Sequence, residues 1–303
     1  MNQTLVLFLL MAAGFGAGRL KLLDASTGKG ISKFLVDFVL PCLVISSMQK
    51  PLTPELRSVA FASLLLSFAV YAAAFPLAFL VARLLRAKGR EGGVIVFACV
   101  FSNCAFMGFP VMEAFFGKES LFTLSIYNIP FQLLAFSLGA SIIARGSGKA
   151  AGLKLRSFVT PAGLSSIVGF ALFLLDISLP APLTSAAKIL GDTTTPLSMA
   201  LIGSILSRAD TKRLLRSPRV YATSLYRLAL FPLALFAVLR AFGFSGTRLG
   251  LPVVVAAMPV AANASILAEA YGGDAETASA LVFVSTLASV VSIPLIAKLL
   301  FGL

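Results

Sequence analysis

Long apolar segments alternate with short polar ones along the whole chain. Ten segments are long and apolar enough to cross a bilayer, which takes about 20 residues of helix. The spans that this pattern predicts are 4–22, 32–49, 58–82, 93–116, 121–144, 159–177, 183–206, 219–242, 250–270 and 276–301. We therefore predict an all-α polytopic membrane protein of ten transmembrane helices, with residues 1–303 forming a single membrane unit.

Two of these spans contain residues that interrupt a helix. They are Ser102, Asn103, Gly108 and Pro110 in span 4, and Pro259, Asn263 and Ser265 in span 9. Proline lacks an N–H group and clashes with the preceding turn, so we expect span 4 to break near Pro110. Within a bilayer a broken backbone is tolerated only where protein or a water-filled cavity satisfies the freed groups. Two broken spans at matching places in the two halves of a chain indicate the binding site of a transporter.

The chemistry of such breaks favours a carboxylate ligand. Half-helix N-termini carry partial positive charge and unpaired N–H groups, and an asparagine amide supplies both donors and an acceptor. In span 5, Asn128 lies two residues before Pro130 and repeats the combination of an amide with an expected break. The candidate substrate-binding residues are Asn103, Gly108, Pro110, Asn128, Pro259, Asn263 and Ser265. The alternative is that these residues form kinks packed by neighbouring helices.

The chain contains an internal repeat. The pattern K-x-L-x-D-x-x-x-P occurs at 32–41 and again at 187–196, and at the same offset AFFG (114–117) falls on EAYG (269–272). This predicts two repeats, 1–145 and 156–303, of five spans each. Because five is odd, the second repeat enters the membrane from the opposite face, and the repeats are inverted.

Basic residues are concentrated in alternate loops. Seventeen of the 25 lysines and arginines fall in the loops of one side, among them Lys149, Lys154, Arg156, Lys212, Arg213 and Arg216. Positive loops face the cytoplasm, which places both termini outside a cell membrane. The N-terminal apolar run has its basic residues after it, the wrong order for a cleaved signal peptide.

Ionisable residues within spans are functional candidates because they are costly in a bilayer. For Asp37 and Asp192, at equivalent repeat positions, the alternatives are ion or proton coupling and i,i+4 pairing with Lys33 and Lys188. Glu113 and Glu269, near the ends of the broken spans, are further candidates for proton coupling. For Arg227 in span 8, the alternatives in order are pairing with an acidic residue, snorkelling and attraction of an anionic substrate.

Composition excludes several classes. The chain is 58% hydrophobic and 12% charged, whereas a soluble domain is about 25% charged. The net charge of +13 is accounted for by cytoplasmic loops, so we expect no nucleic-acid partner. There is no histidine, and Cys42, Cys99 and Cys104 lack metal-ligand spacing, so we expect no metal and no cofactor. Without a nucleophile–base pair, GxSxG or HExxH, we expect no catalytic residues and no enzyme.

The stretch FSNCAFMGFPVMEAFFG, the second break MPVAANAS and the ten-span inverted repeat together resemble the auxin efflux carrier family. That family includes plant PIN carriers and bacterial organic-acid carriers such as malonate transporters. The resemblance implies a fold related to bile-acid symporters and sodium/proton antiporters. It implies scaffold spans within 1–57 and 156–217, a homodimer through spans 2 and 7, and a moving transport part within 58–145 and 218–303.

In that family the prolines and asparagines at the crossing of spans 4 and 9 hold the substrate carboxylate, and Pro110, Asn128, Pro259 and Asn263 match those positions. The acidic pair of the sodium-coupled relatives is missing at the crossing. We therefore expect a secondary transporter of small organic anions that works by an elevator mechanism, either proton-coupled or uniport. The alternatives are a sodium-coupled symporter, or a channel or sensor that uses the same pocket.

Overall fold

The computed structural model describes residues 2–148, 160–208 and 217–302, and it is helical almost throughout. The helices are α1 (Asn2–Arg19), α2 (Ala25–Ser47), α3 (Pro54–Leu84), α4 (Gly89–Val100), α5 (Cys104–Phe116), α6 (Glu119–Gly146), α7 (Pro161–Leu174), α8 (Ala181–Arg208), α9 (Pro218–Ala241), α10 (Gly246–Ala257), α11 (Ala264–Tyr271) and α12 (Ala275–Phe301). No strand occurs in the described ranges, which confirms the all-α class. The loops that carry Lys149, Lys154, Arg156, Lys212, Arg213 and Arg216 lie outside them.

Six helices are long and apolar enough to cross a membrane: α2, α3, α6, α8, α9 and α12. The helices α1, α5, α7 and α10 are apolar but shorter. Helix lies in each of the ten predicted spans, and spans 4 and 9 each contain two helices with a gap between them. The protein is therefore membrane-embedded and helical, and the full count of ten crossings stays a prediction.

The described residues divide into two compact units. The first consists of 2–66, 105–132 and 160–208. Within it, α1 packs along the second part of α8, and glycines allow the backbones to approach closely. A Cβ on Gly14 would lie 2.1 Å from the Ala200 carbonyl oxygen, and one on Gly203 would lie 1.9 Å from that of Met11. Small residues serve this purpose in membrane helices, where close packing replaces the hydrophobic effect.

The second unit consists of 67–104, 133–148 and 217–302. Within it, α4 packs against the end of α6, and a Cβ on Gly93 would lie 2.8 Å from the Ile142 carbonyl oxygen. Residues 94–101 of α4 and the following break are completely buried. This unit contains both gaps, the one after α4 and the one after α10.

Three helices widen into a π-turn just before a proline. The π-turns are Leu35–Val39 before Pro41, Cys104–Gly108 before Pro110 and Tyr226–Leu230 before Pro232. A proline ring clashes with the carbonyl four residues earlier, and in each case that residue is the centre of the π-turn. The wider turn accommodates the proline without ending the helix. A fourth π-turn among the described residues, Ala135–Gly139, has no proline at this spacing.

Candidate functional site

The first interruption lies between α4 and α5. Helix α4 ends at Val100, Phe101 is extended (φ −101°, ψ 117°) and α5 begins at Cys104. Span 4 is therefore interrupted within the stretch Phe101–Pro110, as the sequence predicts, but several residues before Pro110 itself. Pro110 lies in the first turn of regular α-helix after a π-turn, where its ring is accommodated and its missing N–H is tolerated. Gly108 has ordinary helical angles (φ −60°, ψ −50°).

The second interruption lies between α10 and α11. Helix α10 ends at Ala257, and Met258 is extended (φ −64°, ψ 150°). A residue before proline is driven out of the helical region by the proline ring, and Pro259 follows directly. Helix α11 begins at Ala264, so Asn263 is its N-cap residue. At both interruptions an asparagine, Asn103 or Asn263, immediately precedes the first residue of the new helix.

The two interruptions pair with each other through their main chains. Ser102 and Val260 form an antiparallel bridge. The Asn103 N–H donates to the Pro259 carbonyl oxygen at 2.8 Å, and the Ala261 N–H donates to that of Phe101 at 3.1 Å. This short β-like contact satisfies backbone groups that the interrupted helices cannot satisfy themselves.

A serine of α12 completes the pairing. The Val260 N–H donates to Ser285 Oγ at 3.0 Å, and that hydroxyl donates to the Leu281 carbonyl oxygen. Ser285 is completely buried. The sequence gives no signal that singles out this serine, and only the geometry identifies it as a partner of the break.

Arg227 connects the two interruptions from a third helix. Its side chain is 1% exposed, and it donates to four main-chain carbonyl oxygens. The distances are 3.0 Å from Nη1 to Cys99, 3.3 Å from Nη1 to Val100, 3.2 Å from Nε to Met258 and 3.4 Å from Nη2 to Val255. These carbonyls belong to the C-terminal ends of α4 and α10, where the helix dipole is negative.

This arrangement differs from the first two alternatives that the sequence left open for Arg227, pairing with an acidic residue and snorkelling. In the described part of the chain no carboxylate forms an ion pair with it, and its burial excludes snorkelling. Its partners are backbone oxygens, which leave no trace in the pattern of side chains. Nothing in the sequence except a deep arginine in an apolar span could have indicated the role.

The predicted substrate-binding residues lie in both units. Asn103, Pro259, Asn263 and Ser265 belong to the second unit, and the structure brings Asn103 and Pro259 into direct backbone contact. Gly108, Pro110 and Asn128 belong to the first unit. Ser265 Oγ accepts a hydrogen bond from Ser279 Oγ at 3.2 Å. Helix α6 continues through Pro130, so the expected break beside Asn128 does not occur.

Two of the asparagines have an unused side-chain acceptor. Asn128 is 5% exposed and Asn263 is half-buried, and Oδ1 of each lacks a hydrogen-bond partner. Although Asn263 occupies an N-cap position, its side chain makes no capping bond. Because leaving a buried polar atom unpaired costs free energy, such an amide is suited to a ligand. An amide can present either its oxygen or its NH₂ group.

The acidic candidates lie in different surroundings. Asp37 and Glu269 are exposed. Glu113 is half-buried and accepts a hydrogen bond from Thr195 Oγ1 at 3.1 Å. Asp192 pairs with Lys118 at 3.1 Å, and Lys188 is not its ion-pair partner. The suggested i,i+4 pair is therefore wrong for Asp192, which lies beside the interruption at Thr193 in α8 and not in a first helical turn.

The family comparison decides the class of protein. The model of a family described as "Membrane transport protein" matches residues 1–297. The chain belongs to this family, that of the auxin efflux carriers. The family consists of transporters and not of enzymes, so the predicted resemblance is confirmed.

The chain is similar to transporters from an archaeon and a bacterium. One, from Methanothermobacter thermautotrophicus and named only as an uncharacterized transporter, is 30% identical over 213 residues, which is 69% of this chain and 68% of the relative. Another, from Rhizobium meliloti and provisionally named a malonate transporter, is 23% identical over 273 residues, 87% of this chain and 84% of the relative. Both are named as transporters.

Proposed function

We propose that this membrane transporter is a secondary carrier of small organic anions of the carboxylate class. The observation that carries the proposal is the crossing of two interrupted helices in the second unit, where Ser102 pairs with Val260. Interrupted helices in transporters form the sites for substrates and coupling ions. The provisional name of the Rhizobium meliloti relative is consistent with a carboxylate substrate.

The charge at the crossing favours an anion. Among the described residues, Arg227 is the one charged side chain classed as buried, and it lies at the ends of α4 and α10. Its charge offsets the negative ends of both helices, while new helices begin directly after Asn103 and Asn263. Helix N-termini attract anions. A buried positive charge without a carboxylate partner therefore supports an anionic substrate over a cationic one.

The ten-span, inverted-repeat arrangement is part of the proposal. Gly117 and Gly272, which the repeat aligns, end α5 and α11 with similar positive φ angles of 75° and 78°, although their ψ angles differ (173° and 17°). Asp37 and Asp192 each lie four residues before a proline, Asp37 within a π-turn and Asp192 at the end of a helical segment. A glycine with positive φ after each of the two helices and the shared aspartate–proline spacing support a duplication.

Contacts between loops support the predicted alternation of sides. In the first unit, Lys50 pairs with Glu119 and the Leu52 N–H donates to Asp176. Three of these residues lie in loops that we predict to be outside, and Asp176 lies at the outer end of span 6. In the second unit, Arg90 donates to the Gly272 carbonyl and Arg219 pairs with Glu91. Arg90, Glu91 and Gly272 lie in loops predicted to be cytoplasmic, and Arg219 is the first residue of span 8 on that side. We infer that both termini lie outside the cell membrane.

The mechanism that we propose is alternating access of the elevator type. The transport part, 58–145 and 218–303, would move against the scaffold, 1–57 and 156–217. The two compact units do not follow this division, because residues 105–132, which belong to the predicted transport part, are grouped in the first unit with residues 2–66. The homodimer through spans 2 and 7 also stays a prediction. The candidate residues for proton coupling are Glu113, Glu269, Asp37 and Asp192.

Counterflow in proteoliposomes tests the function. Liposomes loaded with an unlabelled mono- or dicarboxylate should take up the labelled compound faster than empty ones, since a carrier exchanges substrate across the membrane. A conducting channel gives no such stimulation, and a sensor gives no uptake. A series from acetate to malonate and succinate, each at two pH values, identifies the preferred anion and any proton coupling.

A further inference from the structure

The carbonyl oxygens around Arg227 are of the kind that bind coupling ions in other carriers. Cys99 and Val100 provide two at the end of α4, and Val255 and Met258 provide two at the end of α10. Unwound backbone carbonyls and half-helix C-termini coordinate Na⁺ in transporters with discontinuous helices. In this protein the same type of oxygen cluster is filled by a guanidinium group.

Among the described residues, no carboxylate neutralises the positive charge of Arg227 within this cluster of carbonyl oxygens. No ion pair joins Arg227 to a carboxylate there, and its one further charge contact is with the Phe231 ring, whose centroid lies 5.8 Å from Cζ. The four carbonyl dipoles and this aromatic face must therefore stabilise the cation. Without the guanidinium, four inward-facing oxygens at two negative helix ends would lack a positive partner.

We propose that Arg227 is a tethered cation that replaces a bound coupling ion at the crossing. The protein therefore needs no Na⁺ or K⁺ to hold α4 and α10 together, and substrate binding does not depend on either ion. This extends the proposed function by assigning the coupling: transport is independent of monovalent metal cations. Arg227 acts as a positioning residue, since it holds the ends of the helices that flank Asn103 and Pro259.

The proposal makes a prediction that a purely structural role does not. If the arginine only contributes hydrogen bonds, removing it destabilises the protein equally in every salt. If it substitutes for an ion, the variant Arg227→Gln exposes a vacant oxygen cluster, and a small cation that binds there stabilises the folded state by mass action. The response to Na⁺ and K⁺ therefore distinguishes the two roles.

The test measures melting temperature in detergent, without substrate, in NaCl, KCl and choline chloride of equal ionic strength. The wild type should melt at the same temperature in all three. Arg227→Gln should melt lower in choline and show a saturable rise in NaCl or KCl. Arg227→Lys, which retains a cation on a different donor geometry, should lose some stability and show no salt-specific rise.

Arg90→Gln is the matched control. Arg90 also donates to two carbonyl oxygens at a helix end, those of Gly272 and Gly273, but its Nε contact is solvent-exposed. Water can replace it there, so its loss should create no cation site. A salt-specific rise in this variant equal to that of Arg227→Gln would overturn the proposal, since the effect would not be specific to the crossing.

Three other outcomes would also overturn it. The first is a saturable effect of Na⁺ or K⁺ on the wild-type melting temperature. The second is an Arg227→Gln protein that is folded but responds to neither ion. The third is an Arg227→Gln protein that cannot be recovered in any of the three salts while Arg227→Lys folds, because a free cation then cannot replace the guanidinium.

Counterflow measured in different salts distinguishes a failure of the tethered-cation proposal from a failure of the proposed carrier function. Wild-type counterflow of a carboxylate should be equal in NaCl and choline chloride. Absence of counterflow in every salt would contradict the carrier assignment but leave the melting result standing. Counterflow that requires Na⁺ in the wild type would support the carrier and overturn the tethered cation.

Discussion

The main-chain N–H of Asn103 donates to the carbonyl oxygen of Pro259 at 2.8 Å. The contact joins two interrupted helices that are far apart in sequence, and it uses no side-chain atom of either residue. The side chain of Asn103 can therefore be changed without removing this bond. Substitutions of this side chain can therefore test the candidate site while the main-chain bond between the two interruptions remains.

We expect Asn103→Ala and Asn263→Ala to weaken substrate binding while expression stays near wild type. A hydrogen bond to a charged group is worth about 1.5–3 kcal/mol, so each variant should lose roughly 10- to 100-fold in affinity. Scintillation proximity binding with the carboxylate found by counterflow measures the loss. Ser166→Ala, which removes a buried hydroxyl of α7 that bonds the Ala162 carbonyl, is the control. Wild-type affinity in both asparagine variants would contradict the site.

Ser285→Ala should destabilise the crossing. The substitution removes the acceptor of the buried Val260 N–H, and an orphaned buried donor costs about 1–3 kcal/mol. A lower melting temperature in detergent is the expected result. Ser292→Ala, on the same helix, removes a hydroxyl whose Oγ has no hydrogen-bond partner, and should change stability much less. Equal effects of the two substitutions would show that the bond to Val260 contributes nothing specific.

Gly14→Ala should destabilise the packing of α1 on α8. Its new Cβ would lie 2.1 Å from the Ala200 carbonyl oxygen, so the helices must separate. Overpacking of this kind costs about 1–3 kcal/mol. Gly16→Ala is an internal control on the same helix, because a Cβ there meets nothing within 4 Å. Alanine at that position should be neutral, or stabilise by up to about 1 kcal/mol through helix propensity. The reverse order in melting temperature would contradict the contact.

Thiol labelling tests the predicted orientation. A cysteine at Ser147 should react with a membrane-impermeant maleimide only from the cytoplasmic side, and one at Ser245 only from outside. Both positions lie at helix ends and are at least partly exposed. Little labelling of the native cysteines is expected, since Cys99 and Cys104 are completely buried and Cys42 is half-buried. Labelling of Ser147→Cys in intact cells would reverse the topology.

The sequence predicted the positions of helices and interruptions well, because apolar length and helix-breaking residues are local signals. It expected the first break near Pro110, although the helix resumes at Cys104, since a π-turn can accommodate a proline. It also expected a break at Pro130, but α6 continues through that proline as regular α-helix. The sequence shows which residues disfavour a helix, but tertiary packing determines the position at which the helix is interrupted.

The sequence was less informative about partners. The bonds from Arg227 end on backbone oxygens, and every residue carries such an oxygen, so no motif identifies them. Asp192 pairs with Lys118 and not with Lys188, because a partner distant in sequence competes with the one a turn away. Asn103 and Asn263 could be proposed from sequence because the amide side chain, the break and the repeat coincide at those positions.

The π-turns before Pro41 and Pro232 lie inside α2 and α9, with helix on both sides. Each wide turn holds one residue more than an α-turn, so side chains beyond it are rotated about the helix axis relative to an uninterrupted helix. An apolar stripe followed at 3.6 residues per turn is therefore out of phase after the proline. The side chains before and after the turn consequently form two separate stripes on different faces of the same helix.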